Sequence, residues 1–239
     1  MIKKINASLI KKATGLKVKS VVSCGSTFDE IADNDVIIAR SQSVGYGRGD
    51  HTFYSPLGGI YIVMRETGLN IAAHTLTPAV GIAAHDAIKT VLGIDTKLKW
   101  VNDVMYNGKK AAGILVRSPR TGEYLIGIGV NYATDGEQLL SAALPDAVSL
   151  QAPPDKADMF ALQLIKNIHL ATLKDFDSAR YNSLCVTVGK NVGFTHNGVY
   201  VQGFAQSVEQ DGTLMVRLGQ ATVAVDAGEV SVLREVNKI

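Results

Sequence analysis

The sequence is poor in net charge, in cysteine and in any spacing of residues that would bind a metal. Its 24 basic and 22 acidic residues leave a formal net charge of +2, which excludes the strongly basic surface typical of general nucleic-acid or membrane binding. Cys24 and Cys185 lie far apart and outside any C-x-x-C pattern, which predicts reduced thiols and a cytoplasmic location. The five histidines are scattered, so the sequence identifies no metal ligands.

Long apolar runs are also missing. No stretch approaches the roughly 20 apolar residues of a membrane-spanning helix. The lysine-rich N-terminus contains no apolar segment of the kind found in signal peptides. These absences predict no membrane partner, whereas a hydrophobic content of 46% is ample for a folded core.

The pattern of apolar residues and turn signals predicts an α+β fold with a largely hairpin-connected sheet. Strands are predicted at residues 36–39, 59–64, 98–102, 110–117 and 123–132, and helices at residues 77–92 and 155–176. Asn107 and Gly108 form the strongest hairpin signal, because both central residues of such a turn must reach positive φ. Thr77 and Pro78 suit the first turn of a helix, and Gly93 suits its end.

The last quarter of the chain has a different pattern. Short strands are predicted at residues 186–192, 198–208, 213–218 and 221–232, with turn residues at 197–198 and 211–212. Short strands at this spacing predict a small β-barrel. We therefore expect one larger domain at residues 1–182 and a small one at residues 183–239.

The loop at residues 45–50 places three glycines at alternating positions around Arg48. Glycine allows backbone N–H groups to approach a small ligand closely, and the guanidinium suits a carboxylate or phosphate. The spacing matches neither a Walker A loop nor a dinucleotide-binding fingerprint. A flexible surface turn is the alternative interpretation, and local pattern alone favours it.

Two further segments offer polar groups. The predicted hairpin brings Asp103 and Lys110 to one end of the sheet, which suits a carboxylate beside a lysine that neutralises phosphate charge. Alternatively, Asp103 begins the turn and Lys110 is solvated. Residues 26–30 resemble a capping box at a helix start, with Thr27 followed three residues later by Glu30. Trp100 is interpreted as a core residue.

Five motifs occur in an order that resembles the biotin–protein ligases. They are Gln-x-x-Gly-x-Gly-Arg at 42–48, Phe-Tyr-Ser-Pro-x-Gly-Gly at 53–59, Lys-Trp-x-Asn-Asp at 99–103, Lys-x-x-Gly-Ile-Leu at 110–115 and Gly-Ile-Gly-x-Asn at 127–131. Each motif is weak, but the ordered set is specific. The resemblance continues more faintly through residues 144–150 to residues 228–231.

The resemblance implies a class II synthetase-like catalytic domain with a mixed, largely antiparallel sheet and flanking helices, followed by a C-terminal SH3-like β-barrel. It also implies ATP-dependent activation of biotin as biotinyl-5'-AMP, with Mg²⁺ as a cofactor. The biotin then passes to a lysine of a biotin carboxyl carrier protein domain.

Site residues follow from the same resemblance. It implies catalytic roles for Arg48, Asp103 and Lys110. The implied biotin contacts are Ser26, Thr27, Gln42, Gly45, Tyr46, Gly47, Arg48, Lys110 and Gly113. The implied nucleotide contacts are Arg48, Lys110, Asn131, Ala147 and Ser149.

Some positions depart from the family pattern. Tyr46, Gly49, His51 and Leu233 stand where arginine is common, and Asp50 stands where glycine is frequent. Phe28 replaces a usual asparagine. Only 25 residues precede Ser26, so we expect a ligase without an N-terminal DNA-binding module and without specific DNA binding. Two alternatives remain, a lipoate or octanoate ligase of the same fold and a non-catalytic biotin- or nucleotide-binding module. A homodimer also stays open.

Overall fold

The computed structural model describes residues 3–196, 198–226 and 230–233. Asn197 of the predicted turn and residues 228–229 of the C-terminal pattern lie outside these ranges. The helices are α1 (Ala7–Thr14), α2 (Leu76–Leu92), α3 (Gly136–Ser141), α4 (Ala157–Thr172) and α5 (Ser178–Leu184). The strands are β1 (Val18–Ser20), β2 (Ser23–Cys24), β3 (Val36–Ala39), β4 (Ser41–Gln42), β5 (Ile60–Thr67), β6 (Lys97–Lys99), β7 (Asp103–Tyr106), β8 (Lys109–Arg120), β9 (Glu123–Val130), β10 (Asn191–His196), β11 (Val199–Val208), β12 (Leu214–Leu218), β13 (Ala221–Val225) and β14 (Ser231–Val232).

A seven-stranded sheet forms the centre of the molecule, in the order β1-β3-β5-β9-β8-β7-β6. Only the β1–β3 pair is parallel, and the remaining neighbours are antiparallel. The predicted α+β class with a mixed, largely antiparallel sheet is therefore confirmed. Among the helices of the described residues, none combines enough length and apolar character to cross a membrane.

The two faces of this sheet carry different residues because side chains alternate along each strand. On β9, Ile126, Ile128 and Val130 belong to the main hydrophobic core, which also contains the buried faces of α2 and α4. Gly127 and Gly129 lie between them and face the other way. The core therefore covers one face of the sheet, and the opposite face has room for a pocket.

Both predicted helices are present, but some of their predicted ends are wrong. Helix α2 begins at Leu76, after a 3-10 turn at Ala73–Thr75, and ends at Gly93, which adopts the left-handed conformation at φ 74°. Helix α4 is shorter than the predicted 155–176 span at both ends. Helices α1, α3 and α5 were not predicted, because their 8, 6 and 7 residues are shorter than the window over which helical periodicity is read.

The hairpin prediction at residues 107–108 is confirmed, since Asn107 and Gly108 have φ angles of 49° and 73°. The strand entering the turn, however, is β7. The predicted strand at 98–102 is wrong beyond residue 99, because a turn at residues 100–102 separates β6 from β7. Asp103 consequently begins a strand instead of a turn.

The C-terminal strands form a separate antiparallel sheet in the order β13-β12-β11-β10-β14. Residues 186–190 are not a strand, which corrects the predicted 186–192 span, and the predicted 221–232 strand is present as β13 and β14. The predicted boundary between residues 182 and 183 falls within α5. The division into 1–182 and 183–239, and the closure of the second sheet as an SH3-like barrel, stay predictions.

A buried histidine in α2 makes stability depend on pH. His85 is 7% exposed, with its Nδ1 3.0 Å from Thr96 Oγ1, and burial lowers the pKa of its ring. The unfolded chain, with a histidine pKa of about 6.5, therefore binds more protons than the folded one below that pH. We expect the free energy of unfolding to fall as pH drops below about 6.5, until the lowered folded pKa is passed.

Urea unfolding between pH 7.5 and pH 5 measures this effect. His85→Gln should lose less stability over that range than the unchanged protein. His74→Gln is the control, because His74 lies on the surface. The His74→Gln protein should keep the pH dependence of stability of the unchanged protein. Parallel losses in the His85→Gln protein and the unchanged protein would contradict the assignment.

Candidate active site

A pocket of about 310 Å³ lies on the face of the sheet opposite the main core. Its lining comes from the loop at 46–53, from β5, β8 and β9, from the segment at 99–103 and from residues 230–231 of the C-terminal part. Its size falls within the range of pockets that hold small organic ligands. Distant parts of the chain thus converge on one enclosure.

Glycines form the floor of this pocket. A Cβ atom at Gly113 would lie 2.8 Å from the Phe53 ring, and one at Gly129 would lie 2.5 Å from it. A Cβ at Gly127 would lie 2.5 Å from the Phe28 ring. Glycine inside a strand marks a close approach by another group, so these positions allow two aromatic rings to lie directly on the sheet.

Lys110 and Asp103 meet at one end of the floor, where Lys110 Nζ lies 2.6 Å from Asp103 Oδ1. A bulge in β8 makes this possible. Asp103 pairs with Gly113, but Met105 pairs with Lys110, so Ala111 is the extra residue. Because paired residues share a face, the bulge turns Lys110 towards the pocket beside Asp103 and Gly113.

The loop at residues 45–53 folds back on itself over the pocket. Gly47 N–H donates to the His51 carbonyl and Phe53 N–H donates to the Gly45 carbonyl, both at 2.8 Å. A Cβ at Gly45 would lie 2.2 Å from the Phe53 carbonyl oxygen, so glycine is required there by space. The loop carries Arg48 to the pocket wall.

A hydrogen-bonded network fixes the opposite wall. Gln42 Oε1 accepts from both the N–H and the hydroxyl of Thr27 at 2.8 Å, and Gln42 Nε2 donates to Ser55 Oγ at 2.9 Å. Thr27 and Gln42 both line the pocket. Ser26 is fully buried and lies next to the pocket without lining it. Ser55 was not identified from the sequence.

The capping-box prediction is wrong. Residues 26–30 form a turn in which the N–H groups of Asp29 and Glu30 donate to the Ser26 carbonyl at 3.2 Å. The Glu30 carboxylate pairs with Lys19 Nζ at 2.7 Å instead of reaching back to Thr27. The hydroxyl of Thr27 is consequently committed to Gln42.

The predicted nucleotide contacts Asn131, Ala147 and Ser149 lie beside the pocket rather than in its lining. Lys110 N–H donates to the Asp146 carbonyl at 2.7 Å, and Val148 N–H donates to the Lys110 carbonyl at 2.9 Å. Asn131 is 3% exposed and donates to the Val148 carbonyl at 3.2 Å. Backbone hydrogen bonds thus join the segment at 146–149 directly to Lys110.

Residues from the C-terminal part complete the site. Val230 and Ser231 line the pocket, and sequence reasoning gave them no site role. Trp100, interpreted as core, is 4% exposed and also lines the pocket. Its Nε1–H donates to the Gly212 carbonyl at 3.0 Å, which fixes the 99–103 segment against the C-terminal sheet.

The charges around the pocket favour an anionic ligand. Lys99, Arg48 and Lys110 supply three cations, whereas Asp103 is the acidic residue among the described lining residues. Lys110 Nζ also lies 5.5 Å from the centre of the Phe53 ring. Within residues 3–196, 198–226 and 230–233, His, Cys, Asp and Glu side chains form no group of three or more that could hold a metal ion.

Comparison with known proteins gives concordant matches. The model of the biotin/lipoate A/B protein ligase family matches residues 16–131. The chain is 29% identical over 219 residues to the biotin–[acetyl-CoA-carboxylase] ligase of Mycobacterium tuberculosis, covering 84% of this chain and 80% of that protein. It is 35% identical over 136 residues to the ligase of the same name from Paracoccus denitrificans, covering 54% and 50%.

A solved structure shares the fold. The biotin protein ligase of Aquifex aeolicus, in complex with biotin and ATP, superposes with a TM-score of 0.75. The match covers 91% of this chain and 99% of that one at 18% identity. At this identity the likeness concerns the fold alone.

Proposed function

We propose that this chain, which belongs to the biotin/lipoate A/B protein ligase family, is an ATP-dependent ligase. It would activate biotin and transfer it to a protein lysine. The observation that carries this proposal is the Lys110–Asp103 pair at the end of a glycine-floored pocket, beneath the loop that bears Arg48. Relatives named as biotin ligases support the same chemistry.

The first half-reaction joins two anions. The carboxylate of biotin attacks the α-phosphate of ATP, biotinyl-5'-AMP forms and pyrophosphate leaves. Arg48 and Lys110 lie on the pocket wall, where their charges would hold the carboxylate against the phosphate and stabilise the charge that develops. The folded loop at 45–53 would keep water from the mixed anhydride.

The ring system of biotin would occupy the part of the pocket between the Thr27–Gln42–Ser55 network and the glycine floor. There the network supplies fixed polar groups, and Phe53 supplies an apolar surface. Asn131, Ala147 and Ser149 are proposed to contact the nucleotide from the segment that is bonded to Lys110. Magnesium would enter with the phosphates of ATP, as is usual for this ion.

The second half-reaction needs a neutral acceptor amine. We propose a lysine of a biotin carboxyl carrier domain as the acceptor, with Asp103 orienting that amine or accepting its proton. Biotin incubated with α-labelled ATP and the protein should yield labelled biotinyl-AMP. Lipoate and octanoate in parallel incubations test the rival ligase, and failure of all three acids to form an adenylate would favour a non-catalytic binding module.

Asp103→Asn separates the two half-reactions. The amide keeps the size of the carboxylate and leaves Lys110 charged, so adenylate formation should stay within about tenfold of the original rate. Transfer to the acceptor lysine should fall by about 10² or more, the usual contribution of a positioned base. Single-turnover measurements of each step give the two rates.

Asp95→Asn is the control, because Asp95 lies on the surface in an ion pair with Lys89. Both half-reactions should be unchanged in that variant. Equal losses in the two half-reactions of Asp103→Asn would show that Asp103 serves adenylate formation and not the acceptor amine.

A further inference from the structure

Phe28 and Tyr46, which both depart from the family pattern, contact Arg117, which lies outside the five motifs. The guanidinium of Arg117 lies 4.2 Å from the ring centre of Tyr46 and 4.8 Å from that of Phe28. The two rings also contact each other edge to face, with centroids 6.3 Å apart. One arginine of β8 thus contacts an aromatic residue of the loop and an aromatic residue of the turn at 26–30.

A hydrogen bond completes this group. Tyr46 Oη donates to Asp29 Oδ2 at 3.0 Å, and this bond raises the pKa of the tyrosine hydroxyl. We use the name aromatic clasp for Phe28, Asp29, Tyr46 and Arg117. Its contacts are the two cation–π contacts of Arg117, the edge-to-face contact of the two rings and the hydrogen bond to Asp29.

The clasp lies at the end of the pocket remote from Lys110. On β8, Gly113, Leu115 and Arg117 share the pocket face, because their partners on β9 are Gly129, Gly127 and Leu125. The Phe28 ring lies over Gly127 and packs with Leu125 in a small second hydrophobic cluster. The clasp is therefore packed against the sheet through Phe28.

Tyr46 is the point at which the loop is held. It lies between Gly45 and Gly47, and it bridges to Thr52 across the folded loop. A loop with three glycines loses much conformational entropy when it is ordered. Side-chain contacts that fix Tyr46 raise the fraction of molecules in which the loop is closed, and apparent affinity is proportional to that fraction.

We propose that the aromatic clasp positions the 45–53 loop over the pocket, and that Tyr46 and Arg117 thereby set the affinity and lifetime of the bound acid. The identity of that acid as biotin rests on the proposed function, whereas the ordering of the loop by the clasp does not. Each exposed cation–π contact contributes about two- to fivefold to such an equilibrium. Arg117 holds the loop only through its contact with Tyr46, because Phe28 lies outside the loop. Tyr46 also bonds Asp29, so loss of its whole side chain should cost about tenfold.

Trypsin cleaves after lysine and arginine, and Arg48 is the one such residue in the segment 45–53, so cleavage there reports on closure of the loop. Without any added acid, Tyr46→Ala should be cut after Arg48 about tenfold faster than the unchanged protein, and Arg117→Ala about two- to fivefold faster. Exchange of the Gly47 and Phe53 amide hydrogens should accelerate by a similar factor, since both close the loop. Tyr54→Ala and Arg120→Ala are matched controls that should leave both rates unchanged.

Two further comparisons separate the clasp from a general loss of structure. The double variant Tyr46→Ala/Arg117→Ala should be cut no faster than Tyr46→Ala, because loss of the Tyr46 side chain already removes its contact with Arg117. Tyr46→Phe keeps the ring but loses the bond to Asp29, so its rate should be intermediate. Thermal unfolding should show each variant folded at the temperature of the assay.

Biotin kinetics test the functional half of the proposal. Arg117→Ala should raise the KM for biotin about two- to fivefold while kcat stays nearly unchanged, because loop closure changes and the reacting groups do not. Cleavage after Arg48 at equal rates in the unchanged protein and the Tyr46 and Arg117 variants would overturn the clasp. If the variants are cut faster but the unchanged protein binds no biotin, the clasp is upheld and the proposed function is overturned.

Discussion

Lys110→Ala should lower the rate of biotinyl-AMP formation by about 10²–10³, the usual effect of removing one preorganised electrostatic contact. Lys110 is the cation that the β8 bulge turns into the pocket, 2.6 Å from Asp103 and 5.5 Å from the centre of the Phe53 ring. Its loss leaves the carboxylate and the α-phosphate without one of their counter-charges. Pyrophosphate release under saturating biotin and ATP measures the rate.

Lys109→Ala is the matched control, because Lys109 is the preceding residue of β8 and lies on the surface. It removes the same charge and the same number of atoms and should leave the rate unchanged. Arg48→Ala should lose a factor similar to that of Lys110→Ala. A folded Lys110→Ala protein that forms biotinyl-AMP at a near-normal rate would remove Lys110 from the catalytic role.

Gly45→Ala should weaken biotin binding by about 10- to 100-fold, because forcing an extra methyl group into a close-packed contact costs about 1–3 kcal/mol. The added methyl group would lie 2.2 Å from the Phe53 carbonyl and 2.5 Å from Ser55 Oγ. The carbonyl belongs to the backbone and cannot rotate away, so the loop must move. That movement would disturb Ser55, which holds the Gln42 amide in place.

Gly25→Ala provides the control for a glycine substitution near the pocket. No other atom lies within 4 Å of the Cβ that it would introduce, so biotin affinity should be unchanged. Calorimetric titration with biotin measures both variants, and circular dichroism checks that both are folded. An unaltered affinity in Gly45→Ala would show that the loop tolerates displacement and that its backbone does not position the ligand.

Much of the fold could be predicted because its signals are local. The conformation of the 107–108 turn follows from the ability of Asn107 and Gly108 to adopt positive φ, and the end of α2 follows from Gly93. Alternation of apolar residues and glycines on β9 likewise indicates a strand with one face in the core. The short helices were missed because six to eight residues give too little periodicity to separate a helix from a loop.

The residues of the site that lie in local motifs were predicted, and those placed by long-range packing were not. The resemblance to the ligase family implied site roles for Thr27, Gln42, Arg48, Asp103, Lys110 and Gly113, and all six of these residues line the pocket. Val230 and Ser231 fall in the faint C-terminal part of the resemblance but were given no site role, because their place at the pocket depends on how the C-terminal sheet packs. The Trp100–Gly212 hydrogen bond, which spans 112 positions, is equally invisible in sequence.

The α+β class, the hairpin, the glycine-rich loop and the set of charged groups available for chemistry all follow from the residues alone. The direction in which the Lys110 side chain points depends instead on contacts between distant segments. Regular alternation from Gly113 would direct Lys110 into the main core, and the extra residue Ala111 reverses that direction. A bulge depends on the cross-strand register of β7 and β8, and on the Asn131 N–H that donates to the Ala111 carbonyl at 2.8 Å. Such partners are fixed by packing between segments and not by the local run of residues.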